Sequence, residues 1–126
     1  MKVKFIYAGI RVKNLKKSVD FYTKVLGMKV LDRVEIPAAK GVVVNLASED
    51  KGFILELNYY KKDSEFNTKY ESGEGLDHLA FQVEGFDAFL AAAKKKGYPT
   101  VAEISTEKSR WAYIEDPNGI WIEIVQ

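Results

Sequence analysis

The sequence predicts an α+β fold made of two repeated β-α-β-β-β modules, forming curved mixed sheets with their helices outside. Three observations lead there. Two helical patterns occur, and each follows one strand-like run and precedes three more. The two halves also align residue on residue: "YAGIRV" from Tyr7 lies over "HLAFQV" from His78, and "GFILE" at 52–56 lies over "GIWIE" at 119–123. Finally, the polar, glycine-bearing stretch 61–75, "KKDSEFNTKYESGEG", reads as a connector between the halves. The chain is thus read as a single domain over 1–126, with module one at about 1–60, the connector at about 61–75 and module two at about 76–126.

The elements follow in order. "KFIYAGIRV" is the first strand-like run. In "KNLKKSVDFYTKVLGMKV", Leu15, Val19, Tyr22, Val25 and Leu26 recur at helical spacing, and Gly27 closes the helix. "MKVLDRVEI", "GVVVNLA" and "FILELNYY" are strands, the last two joined by a turn at Asp50, Lys51 and Gly52. The second module opens with "HLAFQVE". Its helix carries Phe86, Phe89, Leu90 and Ala93 on one stripe and stops at Gly97. "YPTVAEIS", "RWAYIEDP" and "IWIEIVQ" complete it, with the turn signal "DPNG" at 116–119.

Composition excludes several classes of function. With 19 basic and 18 acidic residues the net charge is +1, so the chain lacks the basic excess expected of nucleic-acid or anionic-membrane partners. It contains no cysteine, which removes disulfides, thiolate nucleophiles and iron–sulfur ligation. No apolar run has membrane-spanning length, and the N-terminus lacks signal-peptide character. The expectation is a soluble cytoplasmic protein.

Side chains alternate along strands, and this sorts the polar residues. Leu55 and Leu57 oppose Glu56 and Asn58; Ile122 and Ile124 oppose Glu123; Leu79 and Phe81 oppose His78 and Gln82; Ile10 and Val12 oppose Tyr7 and Arg11. Helices should cover the apolar faces and leave the others to form a cup. Glutamate is disfavoured within strands, yet Glu56 and Glu123 stand among Leu and Ile at points the repeat makes equivalent. A carboxylate withdrawn from water calls for a cation or a proton. His78, the only histidine, shares their face. One imidazole and two carboxylates suit a divalent metal with open coordination positions.

These stretches resemble the vicinal oxygen chelate superfamily, also called the glyoxalase, bleomycin-resistance and extradiol dioxygenase superfamily, and within it short bacterial-type glyoxalase I, lactoylglutathione lyase. The likeness lies in "IRVKNLKKSVDFYTKVLGMKVL", "FILEL", "DHLAFQVE" and "EDPNGIWIEIV". It implies one divalent metal per site (nickel, cobalt, zinc or manganese) on Glu56, His78 and Glu123, with Tyr7 standing where such enzymes have a first histidine. A phenol is a poor ligand unless ionised, so Tyr7 is read as a wall residue that donates a hydrogen bond. The resemblance matches Arg11 to a substrate-carboxylate arginine. Tyr60 stands where the family places an asparagine, and Asn58 lies nearby on the ligand face.

The activity implied is a lyase/isomerase reaction on a small oxygenated substrate such as a hemithioacetal. Metal-stabilised enediolate chemistry would proceed with Glu123 as first candidate base and Glu56 as second. The alternative is a metal-free small-molecule binding or sequestration protein of the bleomycin-resistance type, lined by the chain's seven Tyr, seven Phe and two Trp. The resemblance further implies a homodimer in which Tyr7 and Glu56 of one chain meet His78 and Glu123 of the other.

Overall fold

The computed structural model describes residues 2–50 and 52–126. The turn expected at Asp50, Lys51 and Gly52 falls partly outside them, at Lys51. The described part keeps its tie, since the Gly52 N–H donates to Asp50 Oδ1 at 2.9 Å. The chain divides into two compact units, Met1–Lys69 and Tyr70–Gln126. Of the connector at 61–75, the first nine residues belong with the first unit and the rest with the second.

In the first unit, β1 (Ala8–Arg11) is followed by α1 (Leu15–Asp20), a π turn (Phe21–Val25), β2 (Lys29–Ile36), a 3-10 turn (Pro37–Ala39), β3 (Gly41–Ala47) and β4 (Ile54–Tyr60). The second unit has β5 (His78–Gln82), α2 (Phe86–Lys95), β6 (Ala102–Ser105), β7 (Arg110–Glu115) and β8 (Trp121–Val125). Among the described residues these strands form two four-stranded sheets, ordered β1-β4-β3-β2 and β5-β8-β7-β6. In both, the first strand runs parallel to the last and the other pairs are antiparallel. The repeat read from the sequence is thus a repeat of topology. Among the described residues no helix is long and apolar enough to cross a membrane.

Alternation builds the cores as expected except in β5, where Leu79 and Phe81 are only half-buried. Ile10, Val44, Leu46, Leu55 and Leu57 are buried in the first unit, as are Ala112, Ile114, Ile122 and Ile124 in the second. α2 buries Phe86 and Ala93 from the expected stripe. It ends in a Schellman motif: Gly97 takes φ +97°, its N–H donates to Lys94 O, and the Tyr98 N–H reaches back to Ala93 O at 2.9 Å.

The first helix differs from its expectation. Asn14 Oδ1 caps it by accepting the Lys17 N–H at 3.0 Å, but after Asp20 the helix widens into the π turn instead of continuing to Leu26. Thr23 Oγ1 donates to Val19 O at 2.7 Å, competing with the ladder at the point where it loosens. The wider turn lets two consecutive aromatics, Phe21 and Tyr22, both be buried, edge to face with centroids 5.0 Å apart. Two strands are also shorter than expected. β1 starts at Ala8 because its partner β4 starts at Ile54, one residue before the Ala8–Leu55 pair. β6 starts at Ala102, after Pro99, which has no N–H to give a ladder.

Candidate metal and substrate site

Equivalent polar positions sit in equivalent registers. Gly9 pairs with Glu56 across the parallel β1–β4 contact, and Ala80 pairs with Glu123 across β5–β8. Small residues stand beside both carboxylates, and at Gly9 the reason is steric. A Cβ at Gly9 would lie 3.0 Å from Asn58 Nδ2 and 3.7 Å from Glu56 Oε1. In the first unit this row continues to Asn45 and Asp32, and Asn45 Nδ2 donates to Asp32 Oδ1 at 2.7 Å. Asn58 lies on the Glu56 face as expected, its amide weakly directed at Ile10 O, 3.3 Å away. Tyr7 immediately precedes β1 and is 45% exposed.

Arg11 is placed differently from the expected substrate contact. Its Nη1 donates to Phe66 O at 2.6 Å and to Thr68 Oγ1 at 3.1 Å, and its Nη2 donates to Thr68 O. The guanidinium faces the connector's own backbone.

The second unit gathers the other half of the expected set. His78 Nε2 stands 2.9 Å from Glu123 Oε2, and His78 Nδ1 stands 2.7 Å from Asp77 Oδ1. The imidazole is thus bracketed by carboxylates. An ionised carboxylate only accepts, so Nδ1 carries a proton toward Asp77. The Nε2–Glu123 side then faces lone pair to lone pair unless a proton or a metal cation joins them. Without metal the proton is favoured: the Asp77 hydrogen bond, the largest effect, outweighs the opposing effect of burial and, with the Glu123 charge, raises the His78 pKa above its ordinary 6.5.

Asp77 and Tyr113 escaped the sequence reading. Asp77 precedes the strand, outside its alternation, and only its adjacency to His78 marked it. Tyr113 pairs with Glu123 in the β7–β8 register; its ring lies edge-on to His78 at 5.7 Å and tilted on Trp121 at 5.0 Å. The "RWAYIE" alternation opposite Ala112 and Ile114 could have found it. Beside this cluster, a cleft of about 850 Å³ runs from Glu123 and Val125 past Trp111 to the 105–109 hairpin.

Since this is the chain's only histidine, its ring can be followed without assignment. The imidazole resonance of the metal-free protein should titrate above pH 6.5, and in Glu123→Gln its midpoint should move down toward 6.5. The sign for stability follows. The folded state holds the proton more tightly, so the contribution is fully present below about pH 6.5 and fades as pH rises through the higher folded value. A midpoint at or below 6.5 in the wild type would remove the double bracket.

A pair of donors that each lie about 2.1 Å from one ion, at right angles, stand about 3 Å apart. The His78–Glu123 separation of 2.9 Å meets that requirement, and Asp77 on the far ring nitrogen supplies the outer hydrogen bond that metal-binding histidines commonly have. Among the described residues no three His, Asp or Glu side chains stand together as a complete set. The second unit offers two donors, and Glu56 lies in the first.

Comparison with known proteins identifies the family. Residues 4–124 match the family model described as "Glyoxalase/Bleomycin resistance protein/Dioxygenase superfamily". A lactoylglutathione lyase of Neisseria meningitidis serogroup A is 34% identical, the match covering 98% of this chain and 91% of that protein. One from Escherichia coli O157:H7 is 32% identical over 98% of this chain and 93% of the relative. Among solved structures, the trypanothione-dependent glyoxalase I of Leishmania major aligns with a TM-score of 0.80 at 30% identity, covering 98% of this chain and 87% of that one. With two glyoxalase-like sheets in matched register and a sequence likeness running nearly end to end, the chain belongs to the Glyoxalase/Bleomycin resistance protein/Dioxygenase superfamily, on its glyoxalase I-like side.

Proposed function

We propose that the protein is a metal-dependent glyoxalase-like lyase/isomerase acting on a small oxygenated substrate such as a hemithioacetal. The observation that carries this reading is the His78–Glu123 pair, whose facing lone pairs call for a proton or a metal cation and whose 2.9 Å separation suits two donors to one ion. The likeness to lactoylglutathione lyases supports the reaction class. A divalent ion (nickel, cobalt, zinc or manganese) held by Glu56, His78 and Glu123 would withdraw charge from two neighbouring substrate oxygens. The chain's residues do the rest. Asp77 holds the Nδ1 proton and so keeps Nε2 directed at the site. Glu123 takes a proton from one carbon and returns it to the next, with Glu56 the second candidate for that role. Tyr7 and Asn58 offer hydrogen bonds to the substrate, and Tyr113 and Trp121 wall the site against water. The donors of one unit are incomplete alone. We therefore propose a symmetric homodimer that joins the Tyr7–Glu56 half of one chain to the His78–Glu123 half of its partner.

Glu123→Gln tests the base. It keeps an oxygen donor while removing the proton acceptor, so kcat on a hemithioacetal should fall by about 100-fold or more. Metal affinity should weaken less. A variant that retains wild-type kcat would exclude Glu123 as the base.

A further inference from the structure

The repeat sets Glu56 and Glu123 at equivalent points, yet the rows around them differ. From β8 to β7, Glu123 faces Tyr113, which in turn faces Ala102 of β6. From β4 to β3, Glu56 faces Asn45, which faces Asp32 of β2. Asp32 reaches that place through a bulge. Val30 pairs with Leu46 and Asp32 with Asn45, so Leu31 is an extra residue between them. In a regular ladder Leu31 would stand opposite Asn45. Bulges of this kind re-aim side chains beside functional sites.

The bulge decides where the Asn45 amide points. An ionised carboxylate only accepts, so the Asn45 NH2 faces Asp32 and donates to Oδ1 at 2.7 Å. Asn58, the other amide near Glu56, directs its NH2 at main-chain oxygens, Ile10 O at 3.3 Å and Glu56 O at 3.4 Å. Glu56 Oε1 leans the other way, toward β1, and lies 3.7 Å from the point a Cβ on Gly9 would take. Among the described residues no hydrogen bond reaches the Glu56 carboxylate, whereas Glu123 already meets His78.

We propose that Asp32 is a positioning residue for Glu56. By engaging the Asn45 amide it keeps that donor off the carboxylate, which stays open to a divalent ion. A donor left facing Glu56 would compete with the ion for the same lone pairs. The proposal rests on the metal-dependent reading.

Metal titration of the metal-stripped protein tests this on variants that leave every proposed ligand in place. Asp32 is exposed on the edge strand of its sheet, so Asp32→Ala should fold, which circular dichroism checks. Its nickel affinity should fall about 10-fold, the scale of a lost hydrogen bond behind a ligand. Asp32→Asn keeps an acceptor oxygen and should recover most of the loss. Asn45→Ala removes the competing donor altogether. It should bind nickel within about twofold of the wild type, and adding Asp32→Ala to it should cost nothing further. Unchanged affinity in Asp32→Ala would overturn the proposal. So would an equal loss with and without Asn45, because Asp32 would then act on the ion by its own charge. The metal-free protein gives a second arm. Glu56→Gln should shift the Asn45 side-chain amide resonances far more in the Asp32→Ala background than in the otherwise native chain. Equal shifts would show that Asp32 does not decide where the amide points. If the wild type binds no ion, the metal-dependent reading falls, and these resonances still decide whether Asp32 keeps the amide off Glu56.

Discussion

His78→Ala should abolish tight binding of nickel, cobalt or zinc and reduce kcat/KM on a hemithioacetal by well over 100-fold. The magnitude follows from the donor inventory. The chain has one histidine and no cysteine, so this change removes its one imidazole and leaves only oxygen donors. Altering a hydrogen bond behind a ligand already costs about 10–100-fold in affinity or activity, and losing the ligand itself costs more. Folding should survive, because His78 is partly exposed, begins its strand and is not among the buried apolar core. Circular dichroism and metal titration on the same sample check both parts. Retained affinity in a folded His78→Ala protein would mean that the metal lies elsewhere.

Asp116→Ala should be the most damaging polar substitution for stability. Asp116 is 4% exposed, and its carboxylate accepts the Asn118 N–H at 2.7 Å, the Ile120 N–H at 2.8 Å and Asn118 Nδ2 at 2.9 Å. Alanine would leave two buried backbone donors without that acceptor just before β8, the strand that carries Glu123. The expected loss is about 2–4 kcal/mol, or a fall in Tm of about 10 °C, readable by thermal denaturation. Asp116→Asn keeps an acceptor oxygen and should recover part of it. A loss below about 0.5 kcal/mol in the alanine variant would contradict this account of the turn.

The two changes mark what the sequence made legible. "DPNG" announced its turn because Asp, Asn and Gly at those spacings have few other uses. Alternation put Glu56 and Glu123 opposite Leu and Ile, and the repeat made them equivalent; the Gly9–Glu56 and Ala80–Glu123 registers have that form. What stayed hidden was of another kind. Phe21 and Tyr22 fit a helical pattern only one at a time, and the π turn that buries both is a compromise between packing and ladder that periodicity does not encode. Arg11 grips main-chain oxygens 55 and 57 residues away, and main-chain oxygens carry no sequence signature. Asp77 acts through its neighbour's ring, so its importance appears only once the ring's other nitrogen is seen to face Glu123.

The central claim, that the His78–Glu123 pair holds a divalent metal, is tested most directly by divalent-metal titration of the metal-stripped wild type beside Tyr7→His. The account predicts about one nickel, cobalt or zinc ion per site in the wild type, and tighter binding in Tyr7→His, where an imidazole replaces the phenol. If both proteins remain metal-free at millimolar added ion, the metal-dependent reading is contradicted, and the aromatic cluster around Tyr113 and Trp121 becomes the wall of a binding cup.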